Sequence, residues 1–70
     1  MKKGGLKLAI SLLDKHIAKL SYINNYNISA ISVIENKYKF SVVIHDDNHQ
    51  EVEFMVNITY RSVNLKSKIV

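Results

Sequence analysis

Seventy residues carry ten basic and six acidic side chains, a formal charge of +4, and no cysteine. That length allows one small domain, which buries only about 60% of the surface its unfolded chain exposes, and the absence of cysteine excludes a disulfide framework or a thiolate zinc site. An apolar share of 47% against 23% charged residues is that of a folded chain, so self-association is the staple left to it.

Residues 1–5 are expected to fray, because Gly4 and Gly5 are poor helix formers. Over residues 6–20 the apolar side chains Leu6, Ala9, Ile10, Leu13, Ile17 and Leu20 follow the spacing of a one-sided helix, and Leu12 widens the stripe. Lys7, Lys15 and Lys19 lie on the other side. The basic start and the short apolar run at 8–13 could suggest a secretion leader. Asp14 and Lys15 end that run too early, and no small-residue cleavage site follows. No stretch approaches the roughly 18 apolar residues of a membrane span, so a cytoplasmic address without a membrane partner is expected. Lysine outnumbers arginine nine to one, and with abundant isoleucine and asparagine this is the residue usage of AT-rich bacterial or phage genomes.

Residues 21–27, with three asparagines, read as the connection out of the helix. Residues 28–35 are a strand candidate in which simple alternation puts Ile28, Ala30 and Ile34 on one face and Ile31 and Val33 on the other. A tight turn at 35–37 leads into Tyr38, Phe40, Val42 and Ile44, and the polar segment 45–50 leads into Val52, Phe54, Val56, Ile58 and Tyr60. Apolar residues at every second position define two strands with one buried face, paired as a hairpin. After Tyr60 the alternation changes phase, with Val63, Leu65 and Ile69 apolar, which marks a bend or bulge and a possible fourth strand. The expected fold is α+β: an N-terminal amphipathic helix on one face of a three- or four-stranded antiparallel sheet, in one domain spanning 1–70.

Chemistry is sparse. His45, Asp46, Asp47, His49 and Glu51 form the densest polar cluster, yet their spacing matches no known metal loop, and Asp and Asn are ordinary turn residues. No nucleophile elbow or glycine-rich phosphate loop is present, so no enzyme, cofactor, catalytic residue or small-molecule substrate is expected. The basic balance allows nucleic-acid binding through Lys7, Lys15, Lys19, Arg61, Lys66 and Lys68. One arginine is few for phosphate or guanine contacts, and Tyr38, Phe40, Phe54 and Tyr60 share the parity of the buried face.

Ile31, Val33, Val43 and Met55 interrupt the polar side of the strands. If the strands pair in sequence order, simple alternation gathers these four into an apolar patch on the sheet face away from the helix. This patch is the expected protein interface, for a homodimer or a larger partner. The helix-then-strands order and the aromatic-led strand KYKFSVVI loosely resemble small families such as PepSY-type modules and the gas-vesicle accessory protein O family. The resemblance is one of element order and carries no functional residues. A small non-enzymatic interaction or regulatory module is the expected function, with a basic nucleic-acid-binding protein as the alternative.

Overall fold

The computed structural model describes residues 3–20, 23, 25–45 and 49–69. A helix, α1 (Lys3–Ala18), is followed by β1 (Tyr26–Ile34), β2 (Lys37–Ile44), β3 (Glu51–Asn57) and β4 (Ser62–Ile69). The strands form one antiparallel meander in the order β1-β2-β3-β4, so β1 and β4 are its open edges.

The hairpin expected from the two stripes is present, with Tyr38 opposite Val56, Phe40 opposite Phe54 and Val42 opposite Val52. Directly paired residues share a face. These six side chains are buried, as is Ile44, and the helix row Ala9, Leu13 and Ile17 closes over them. Phe40, Val42 and Val56 are wholly shielded from water, and a fully buried side chain of this size contributes about 1.5–3 kcal/mol. The tail forms the fourth strand. Lys66 is its extra residue, because Leu65 faces Phe54 while Ser67 faces Glu53.

Three expectations need correction. The helix begins at Lys3 and takes in both glycines. Glycine at position 5 lets the helix pack close on β2, since a Cβ there would lie 2.5 Å from the Tyr38 hydroxyl. Tyr60 is 78% exposed rather than buried, because β3 ends at Asn57 and Asn57 Oδ1 accepts from the backbone N–H of Thr59 and Tyr60, at 2.9 and 3.2 Å, to start a turn. Once the chain turns, strand parity no longer applies.

The third correction concerns β1. Ile28 faces Val42, but Ala30 faces Ser41, which makes Ser29 the extra residue of a β-bulge. Beyond it, Ile31 faces Phe40 and Val33 faces Tyr38. The bulge therefore turns Ile31 and Val33 onto the helix side of the sheet, whereas alternation alone assigns them to the opposite face.

Candidate functional site

The expected four-residue patch is split between the two faces. Val43 and Met55 lie on the face away from the helix, opposite Asn27 and Lys39 in their neighbouring strands. That face is otherwise polar and cross-linked. Lys39 Nζ is 3.9 Å from Glu53 Oε2, Ser67 Oγ donates to Glu53 Oε1 at 3.1 Å, and Ser29 Oγ lies 3.2 Å from the Ser41 carbonyl and 3.3 Å from Glu51 Oε2. Ser29 has one proton to give and serves these two acceptors in alternation. Val43 and Met55 are half-buried among such groups and stand as separate apolar residues.

Ile31 and Val33 have different neighbours. Helix α1 lies over β3 and β4; at the start of β1 Tyr26 and Ile28 still pack against the core, while Ile31 and Val33 further along are exposed among the described residues. The Tyr26 hydroxyl donates to Asp14 Oδ1 at 2.7 Å, so the helix row Leu6, Ile10 and Asp14 faces β1, and the row Leu8, Leu12 and His16 faces β4. Gly5 packs on Tyr38, and Tyr38 is paired with Val33. Leu6, on the helix row toward β1, and Ile31 and Val33, on the helix side of β1, are exposed at 40%, 42% and 56%. Sequence reasoning missed Leu6 because its helical spacing reads as core.

The β4 margin is basic. Lys15 is exposed on the outer helix row that also carries Lys7, Lys19 is exposed just past the helix end, and Lys66 and Lys68 are exposed on β4. Lys68 faces Val52 and so shares the helix side. Lys7 lies on the outer helix surface, and Arg61, with φ 52°, sits in the β3–β4 turn. The structure thus brings Lys66 and Lys68 together on the β4 edge and leaves the other four candidate cations on the outer side of the helix, at its end and in the β3–β4 turn.

At the other end of the hairpin, the rings of His45 and His49 meet edge to face with centroids 5.6 Å apart. Asn27 Nδ2 donates to His45 Nε2 at 2.9 Å, which occupies one ring nitrogen. Asp46 and Asp47 lie outside the described residues. Among the described residues, no group of three or more His, Cys, Asp or Glu side chains could hold a metal ion. The Tyr26 hydroxyl has a displaced titration. Partial burial, reinforced by the Asp14 carboxylate, pushes its hydroxyl up to about 12.

These features define a small α+β protein: an N-terminal helix on a four-stranded antiparallel meander with one apolar and one basic margin. No family model, curated protein or solved structure matches the chain. No described helix is long and apolar enough to cross a membrane.

Proposed function

We propose that this chain is a non-enzymatic protein-interaction module that engages a protein through the β1 margin of its helix-covered face. The observation that carries this reading is that Ile31 and Val33, on the helix side of the edge strand β1, are exposed although they pair with the buried Phe40 and Tyr38, with Leu6 exposed on the helix row toward them. Scattered apolar residues are normal on a surface, but a contiguous group bordering an open strand edge is a contact surface. The test is co-purification of the native chain and of Ile31→Asp/Val33→Asp from nuclease-treated host extract, with sedimentation of each pure protein. A stoichiometric protein complex, with itself or another chain, that the double variant loses at unchanged circular dichroism supports the reading. A monomer that holds no protein, or a complex indifferent to the substitutions, overturns it.

A second reading, binding of nucleic acid, is favoured by the net charge of +4 and the exposed lysines Lys15, Lys19, Lys66 and Lys68. Each phosphate neutralised releases counterions, so affinity would fall steeply between 50 and 200 mM salt and fall further in Lys15→Gln/Lys66→Gln. An apolar contact at Leu6, Ile31 and Val33 resists the same change of salt.

A further inference from the structure

Resting on the interaction reading above, we infer that the partner of the β1 margin is a second copy of this chain, added edge to edge through residues 30–34 to give one continuous eight-stranded sheet.

The two edges of the sheet are not equivalent. An open edge presents unpaired N–H and C=O groups, and proteins block unwanted pairing with lysines and bulges. Strand β4 has both, with Lys66 forming its bulge and Lys68 beyond it. Strand β1, YNISAISVI, carries no charge along its length. Its bulge at Ser29 leaves the stretch 30–34 regular. Of the possible edge contacts, β4 with β4 would set lysines against lysines. Contact of β1 with β4 would be head-to-tail, leaving a free edge at each end and propagating without closure. Only β1 with β1 is both closed by a two-fold axis and free of opposed charge.

An antiparallel self-pairing centred on Ser32 also matches the faces. It sets Ile31 of each copy opposite Val33 of the other, both on the helix side, where β-branched cross-strand pairs stabilise a sheet. Ala30 falls opposite Ile34 on the other side, giving Ile34, 64% exposed in the single chain, a neighbour. The two-fold axis stands perpendicular to the sheet, so both helices lie on one face.

The register makes the test specific, because Ser32 is its own partner on the exposed face. Wild type should sediment as a dimer at tens of micromolar. Ser32→Lys and Ser32→Glu alone should each weaken association at least tenfold at low salt, and an equimolar mixture of the two should restore it as a heterodimer. Ser32 is exposed at an edge, so circular dichroism should not change in either variant. A wild type monomeric at 100 µM overturns the self-pairing, as does a dimer indifferent to both charges. If that dimer or a complex with another protein is still lost in Ile31→Asp/Val33→Asp, the interaction reading survives without this pairing. If nothing is lost there either, both fall.

Discussion

The Tyr26 hydroxyl donates to Asp14 Oδ1 across 2.7 Å and ties the edge strand β1 to a helix that lies over the opposite half of the sheet. Tyr26 faces Ile44 at the start of β1, so this hydrogen bond joins the C-terminal half of the helix to the start of that strand. Replacing Tyr26 by Phe keeps the ring and removes the bond, at a cost of about 0.5–1.5 kcal/mol. A urea titration should show the midpoint lowered with the slope unchanged.

The same residue gives a pH dependence of known sign. Its hydroxyl is pushed up from 10.0 to about 12 in the folded chain, so the folded state holds the proton more tightly than the unfolded one. The associated stability is complete below pH 10 and is lost as pH rises from 10 toward 12. Thermal melts of wild type and Tyr26→Phe should converge over that window, and a gap that widens would contradict the assignment.

Gly5 and Tyr38 should show strong coupling. An exposed helical glycine replaced by alanine gains about 0.5–1 kcal/mol. Here the new Cβ would meet the Tyr38 hydroxyl oxygen at 2.5 Å, while the next ring atom is at 3.6 Å, an ordinary contact. Tyr38 is buried and stacked on Phe40, with ring centroids 6.4 Å apart, so it has little room to withdraw. Gly5→Ala should therefore lower the melting temperature in wild type and raise it in the Tyr38→Phe background. The double-mutant cycle measures that reversal directly.

The two faces should differ sharply in tolerance. Phe40→Ala empties a fully buried site and should cost about 3–5 kcal/mol, enough to unfold much of a domain this small at 37 °C. Met55→Thr, on the opposite face, should shift stability by less than about 1 kcal/mol. Equal sensitivity would mean that the sheet is covered on both sides.

Deletion of Ser29 probes the bulge. Ile28 to Val42 and Ala30 to Ser41 are consecutive pairs without it, so the shortened chain should fold with every downstream pair intact and lose only the exposed Ser29 hydrogen bonds. Deletion of Ser32 instead displaces Val33 from Tyr38 and should cost several degrees more in melting temperature. Amide exchange at Val33 and Ile34 distinguishes the two.

The residues that sequence reading placed well are those whose own pattern is complete. In β2 and β3 every second residue is apolar, so parity alone puts Tyr38, Phe40, Val42 and Ile44, and Val52, Phe54 and Val56, on the core face, while the register between them came from the structure. The phase change near Val63 and Leu65 signalled a bend and a further strand for the same reason. The candidate interface was half legible. Ile31 and Val33 stood out as apolar residues out of phase, but no glycine or proline in YNISAISVI marks Ser29 as an extra residue, and a single extra residue reverses every face assignment after it.

Period and charge by themselves determined the elements of this protein, their order and the stripe that forms the core, because alternation and helical spacing are local consequences of backbone geometry. Tertiary structure alone decided which edge of the sheet is bare. The bulge at Ser29 turns Ile31 and Val33 to the helix side, the helix packs over β3 and β4, and the Gly5–Tyr38 approach and the Tyr26–Asp14 bond fix its position relative to β2 and β1. They depend on contacts between residues far apart in the chain, which no local pattern records.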